Sequence, residues 1–139
     1  MSVERTFSII KPDAVAAGQA GEILATIQQA GFKVLGLRMT RLTEAQAQGF
    51  YAVHRERPFY AGLVKFMTEG PIIVMALERE NAVKGLRDVM GATNPANAAE
   101  GTIRKRFAEN IERNCIHGSD APETAEVELR FFFTTAELL

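Results

Sequence analysis

Apolar and polar positions along this chain follow two different periods, and glycine or proline stands where one period gives way to the other. Residues 6–10 are a short, mostly apolar run that Pro12 stops, with Lys11 at its carboxyl end, the pattern of a buried strand. Over 21–30, Ile23, Leu24, Ile27 and Ala30 keep helical spacing, and Gly31 supplies the stop. Residues 34–42 read as a second strand with Leu35, Leu37 and Met39 on one face. Thr43 and Gln46 form a capping box that opens a helix to about residue 52. Beyond Pro58, Phe59, Leu63, Phe66 and Met67 recur on one helical face until Gly70 and Pro71 break it. Residues 72–77 are a continuous apolar run bounded by turn residues, the clearest strand of the chain.

The second half repeats this alternation with one interruption. Residues 81–90 are helical, with Val83, Leu86 and Met90 inward and Gly91 closing. Residues 92–101 hold no large apolar side chain and turn at Asn94 and Pro95; an unstructured stretch of this kind in a compact domain is more often functional than idle. A short helix over 102–111 and a short strand over 115–117 follow. Asp120 to Glu123 repeat the capping logic, with Pro122 tolerated in the first turn, and Ala125, Leu129, Phe132 and Phe133 form an inward stripe.

Few strands separated by helices imply one sheet with helices packed on it. The fold class expected is α+β: a ferredoxin-like split βαβ arrangement, a four-stranded antiparallel sheet covered by helices, with a long polar loop near residues 91–114. At 139 residues the chain is expected to form a single domain over 1–139.

Charge and cysteine usage remove several function classes. Sixteen basic and 17 acidic residues leave a net charge of −1, which gives no general attraction to nucleic acid or to an anionic membrane. The start of the chain lacks the apolar core of a leader and no run reaches membrane-spanning length, so the expected setting is the cytoplasm. The single cysteine, Cys115, excludes an intrachain disulfide framework and a cysteine-rich zinc module. Its nearness to His117 invites a Cys-His catalytic reading; a small buried hydrophobe is the better one.

No glycine-rich phosphate loop of either common type is present, so any phosphate chemistry must come from side chains. The segment from Asn114 to Asp120 places His117 between an apolar residue and Gly118, where one ring nitrogen can meet a ligand while the other is held by a partner. Gly118 leaves room for close approach of a phosphate-sized group, and Ser119 and Asp120 are placed to cap the following helix. Lys11, Arg87, Thr93, Arg104 and Asn114 stand at element ends or in the polar loop, where each alone reads equally as a solvated surface residue. Arg87 is also placed to complement its helix C-terminus. No ligand spacing for a protein-bound metal stands out, and His54, in a charged stretch, reads as exposed and structural. Phe59 is either a stacking face for a nucleobase or the first member of its core stripe.

These pieces together resemble the nucleoside diphosphate kinase family. The likeness is carried by the segment 114–120 and by blocks at 5–13, 30–33, 50–51, 57–59, 67–71, 91–96 and 101–104, in the family's order to about Phe133. The resemblance implies transfer of the γ-phosphate of a nucleoside triphosphate, typically ATP, to a nucleoside diphosphate. It implies a ping-pong reaction in which His117 becomes a pros-phosphohistidine, with Glu128 on the other ring nitrogen and Ser119 supporting Glu128. Lys11, Tyr51, Arg87, Thr93, Arg104 and Asn114 would surround phosphates and ribose, with Lys11 and Arg104 also acting on the transferring group, and Phe59 would stack on the base. Mg2+ would ride on the nucleotide phosphates without protein ligands. Family members form tetramers or hexamers built from a common dimer, and the short tail after Phe133 favours the tetramer; neither nucleic acid nor membrane is an expected partner. The chain departs from the family at Lys105 and Arg106, where a small residue and an aspartate are usual, which would add positive charge beside the phosphates. Two other readings compete, a non-catalytic module that kept the scaffold and a phosphohistidine carrier fed by a protein donor. The first would have lost His117, Lys11 or an arginine, and the second has no use for Phe59 with Arg87 and Arg104.

Overall fold

The structure, a computed structural model, describes residues 3–139; Met1 and Ser2, the first residues of the start examined above for an apolar leader core, lie outside the described residues. Four strands, β1 (Val3–Ile10), β2 (Lys33–Thr40), β3 (Ile72–Glu80) and β4 (Ile116–Gly118), form one sheet in the order β2-β3-β1-β4. Every neighbouring pair is antiparallel. Among the described residues seven α-helices cover it: α1 (Pro12–Ala16), α2 (Ala20–Gln29), α3 (Glu44–Phe50), α4 (Tyr60–Met67), α5 (Ala82–Met90), α6 (Ile103–Phe107) and α7 (Pro122–Phe132). The expected α+β fold is the one found.

Strand alternation divides the interior into two cores. Phe7 and Ile9 of β1 face Val74 and Ala76 of β3 under α3, α4 and α7, while Ile10, Met75 and Leu77 face α1, α2 and α5. Each fully buried aliphatic or aromatic side chain contributes roughly 1.5–3 kcal/mol, and both layers are continuous. Thr43 makes the expected capping box with Gln46. The first helical region is broken in two, because Pro12 starts α1 and Gly18, at φ 73°, ends it before α2 begins.

Four expectations need correction. Leu37 and Met39 do not share the face of buried Leu35: a bulge between Val34 and Gly36 leaves Leu35 without a partner and reverses the parity, so both are about half exposed on the edge strand. No side chain caps α7; its N-cap is Ala121, Asp120 is exposed, and Ser119 is engaged elsewhere. The helix after the polar loop ends at Phe107, short of residue 111. Arg106 turns away from the loop to reach Glu22 and Thr26 of α2 at 3.3 and 3.2 Å, so its charge is spent there.

Gly91, which ends α5 at φ 87°, is required on two counts. A left-handed backbone disfavours any Cβ, and a Cβ here would meet Thr102 Oγ1 at 2.5 Å. Gly91→Ala is therefore expected to lower stability by about 1–3 kcal/mol, read as a lower urea midpoint at unchanged slope; an unchanged midpoint contradicts this.

Candidate active site

His117 lies in the centre of β4, opposite Ile9 of β1, and so points to the face that carries Phe7. The Ser8 hydroxyl donates to His117 O at 2.7 Å, which fixes the short strand to its neighbour. The imidazole is walled by Phe7, Phe50 and Tyr51, whose ring centroids lie 5.6–6.4 Å away. Its Nε2 stands 2.9 Å from Glu128 Oε1 on α7. The same oxygen accepts the Ser119 hydroxyl at 2.6 Å. An ionised carboxylate only accepts, so Nε2 carries the proton. Nδ1 keeps its lone pair, and among the described residues it has no hydrogen-bond partner. The His117 side chain is 19% exposed, enough to meet a ligand without losing its packing.

Cationic groups are drawn in beside it. Lys11 follows β1 directly, is buried, and donates from Nζ to Asn114 Oδ1 at 2.8 Å. Asn114 is itself held by Nδ2 donating to Ile111 O at 3.0 Å. Buried Arg104 projects from α6 and donates to three backbone carbonyls, Ile116 at 2.7 Å, Gly91 at 3.3 Å and Asn114 at 3.4 Å. Arg87, the basic residue in the last turn of α5, donates to Gly118 O at 3.2 Å. Because these partners are neutral, the charges stay available to an anion. Burial, and then Arg104, lowers the Lys11 ammonium to about 8. Burial also lowers Arg104, to about 10. The Tyr51 phenol is raised well above its usual range, first by burial and then by Glu128, and its hydroxyl is buried without a partner.

A cavity of about 710 Å³ opens beside Lys11 and Asn114, lined further by Phe59, Leu63, Phe66 and Ile111. Phe59 is 52% exposed, so it belongs to the cavity wall and not to the core stripe of Val64, Phe66 and Met67. His54 is half-buried, with its ring 5.4 Å from Phe59, which corrects the exposed reading. Thr93 stands apart from this cavity, exposed at a shallower depression shared with Arg87, Gly91 and Thr102. Cys115 is buried and its thiol pushed up to about 12 by burial, which leaves it inert toward the Cys-His chemistry considered above.

Sequence and structure comparisons agree on what this arrangement belongs to. The sequence profile of the nucleoside diphosphate kinase family matches residues 4–138. The chain belongs to the nucleoside diphosphate kinase family. It is 60% identical over 137 residues to a nucleoside diphosphate kinase of Nitratidesulfovibrio vulgaris (strain DP4), covering 99% of both chains. The Aquifex aeolicus nucleoside diphosphate kinase superposes with a TM-score of 0.98 at 43% identity, covering 99% of this chain and 100% of that one. A halophilic enzyme from Halobacterium salinarum, in complex with CDP, gives 0.94 at 39% identity, with 99% and 92% covered. Nucleoside diphosphate kinases move phosphate between nucleoside triphosphates and diphosphates, and this chain is an enzyme of that type.

Three residues of the site escaped the sequence reading. Ile111 is half exposed in the Phe59 cavity; the only sign of it was an isolated apolar residue in a charged stretch. Phe50 borders His117; the sequence offered it only as part of the family block at 50–51, with no site role. Asp13 is buried and accepts from the Cys115 N–H at 3.1 Å; its sign was an acidic residue in the first turn directly after Lys11.

The lowered Lys11 value has a testable sign. The unfolded chain binds this proton up to about 10.5 and the folded chain only to about 8, so burial of the charge costs most below pH 8 and the cost is relieved as pH rises from 8 to 10.5. In the free protein, side-chain NMR of Lys11 is expected to titrate near pH 8; a midpoint at the ordinary value contradicts the burial argument.

Proposed function

We propose that the chain, acting as one domain, carries phosphate between nucleotides by a two-step exchange through His117. The observation that supports this above others is the hydrogen bond from Nε2 to Glu128, which leaves Nδ1 unprotonated on a residue whose two chain neighbours, Ile116 and Gly118, hold Arg104 and Arg87 by their carbonyls. In the first step the Nδ1 lone pair bonds to the γ-phosphorus of a nucleoside triphosphate. The bond from that phosphorus to the β-phosphate oxygen breaks, and the diphosphate leaves with the electron pair. The Nε2 proton stays, and Glu128, steadied by Ser119, offsets the positive charge that develops on the ring. In the second step a terminal oxygen of another diphosphate attacks the phosphohistidine, and the electron pair returns to Nδ1.

Phosphoryl transfer is chiefly placement and charge stabilisation, so cations with fixed geometry are the main requirement. Arg104, fixed by three carbonyls, and Lys11, fixed by Asn114, supply it, while Arg87, Thr93, Tyr51 and Asn114 complete the phosphate and ribose contacts. Phe59 provides a stacking face, worth about 1–3 kcal/mol in comparable base stacks. A stacking face reads no base edge, which supports tolerance of different bases.

The donor set suits Mg2+ carried by the substrate. Lys11 Nζ is held by an amide oxygen, and among the described residues no group of three or more carboxylate, histidine or cysteine side chains is placed to hold a metal. Phosphate oxygens and water would then be its ligands, and when bound it neutralises charge between the β- and γ-phosphates. Exposed Leu37 and Met39 on the edge strand β2 support association of copies, read as a tetramer built from dimers, with a hexamer as the alternative. No described helix is long and apolar enough to cross a membrane, and we place the enzyme in the cytoplasm.

Incubation with γ-labelled ATP and Mg2+ is expected to give an acid-labile, base-stable phosphoenzyme that GDP or UDP discharges. His117→Ala is expected to abolish labelling. Label that survives the substitution, or that no diphosphate removes, contradicts the proposal.

A further inference from the structure

The backbone immediately before His117 is strained. Cys115 lies at φ 65°, and the Ile116 N–H donates back to Asn114 O over 2.8 Å. This is a three-residue γ-turn of the rare positive-φ kind. For a residue with a Cβ such a backbone is unfavourable and persists only where its surroundings over-determine it. Here the surroundings are residues 11–13. The Cys115 carbonyl accepts from the Lys11 N–H at 2.9 Å, and the Cys115 N–H donates to Asp13 Oδ2 at 3.1 Å. Both polar groups of the strained residue are thus gripped by one short segment.

The Asp13 side of that grip is costly to maintain. Asp13 is 7% exposed, and its second oxygen, Oδ1, is buried with no partner. Burial accordingly raises its carboxyl above the ordinary range. A buried, half-satisfied carboxyl is retained against a desolvation penalty, and the only side-chain hydrogen bond it makes among the described residues is the one to the turn. The turn joins the two halves of the site. Asn114, at its start, holds Lys11 Nζ, and His117 is the residue directly after its end. Three extended residues would separate Asn114 from His117 by roughly 10 Å; the reversal at Cys115 shortens that span and draws the residue that holds Lys11 Nζ toward His117.

We propose that Asp13 is a positioning residue for phosphoryl transfer, holding the γ-turn at Cys115 so that Lys11 and His117 address the same phosphate. The proposal rests on the phosphohistidine reading above. The role that competes with it is structural, an acidic group in the first turn of α1.

Single-turnover labelling from γ-labelled ATP separates the two. Asp13→Ala is expected to slow phosphoenzyme formation at saturating ATP by roughly tenfold to a hundredfold. Asp13→Asn, whose amide oxygen still accepts the Cys115 N–H, is expected to stay within about fivefold of wild type. Adding Cys115→Gly to Asp13→Ala is expected to restore part of the rate, because glycine adopts positive φ without a Cβ penalty. A helix-capping role gives no such recovery, since residue 115 is no part of α1. An Asp13→Ala rate equal to wild type, or a loss that Cys115→Gly does not relieve, overturns the proposal. If Asp13→Ala fails to fold, Asp13→Asn decides alone: a loss of about a hundredfold overturns it. A wild-type chain that takes no label on His117 overturns the parent reading, and this proposal with it.

Discussion

One carboxylate oxygen, Glu128 Oε1, accepts from both His117 Nε2 and Ser119 Oγ, and the geometry of the site depends on that shared acceptor. Helix α7 brings Glu128 across the sheet to a histidine on the far edge strand, so the bond ties the last helix to the last strand. Charge-assisted hydrogen bonds of this kind contribute about 1.5–3 kcal/mol each when sheltered from water. Their larger effect is on protonation, because an acceptor at Nε2 decides which nitrogen holds the proton. The aromatic wall of Phe7, Phe50 and Tyr51 packs around the ring and restricts its orientation.

The second constraint is electrostatic. A site for a polyphosphate must concentrate positive charge, and buried positive charge is unstable without partners. Here Lys11 and Arg104 are satisfied by an amide oxygen and by backbone carbonyls. Pairing with carboxylates would have been cheaper for the free protein, but it would have cancelled the field that a phosphate feels. The lowered Lys11 and Arg104 values record that cost. In the proposed reaction the incoming phosphate supplies the missing counter-charge.

Much of the fold was legible because strands and helices here obey simple periods. Residues 72–77 stood out as apolar, and the Thr43–Gln46 capping box fixed a helix start. The face assignment of Leu37 and Met39 failed because one unpaired residue, Leu35, reverses every side chain beyond it; Gly36 inside the strand pattern is the one local sign of that bulge. For the proposed site, the family likeness points to His117, Glu128, Lys11 and the arginines, and the structure brings His117, Glu128 and Ser119 into direct contact. Thr93 remains apart from that cluster. Asp13 and Ile111 were missed for a different reason: their surroundings are made by residues about 100 positions away or by cavity shape, and neither leaves a trace in spacing. Arg106 shows the reverse limit, a charge whose sequence position beside Arg104 said nothing of its direction toward Glu22.

The central claim is that Glu128 sets the protonation of a neutral His117 so that Nδ1 is the free nucleophilic nitrogen. Nitrogen-15 NMR of the His117 ring in the nucleotide-free enzyme at neutral pH tests it most directly. The account predicts a protonated Nε2 and an unprotonated Nδ1, with the signals exchanging places or averaging when Glu128 is replaced by alanine. A ring that carries its proton on Nδ1 in the wild-type enzyme would contradict it.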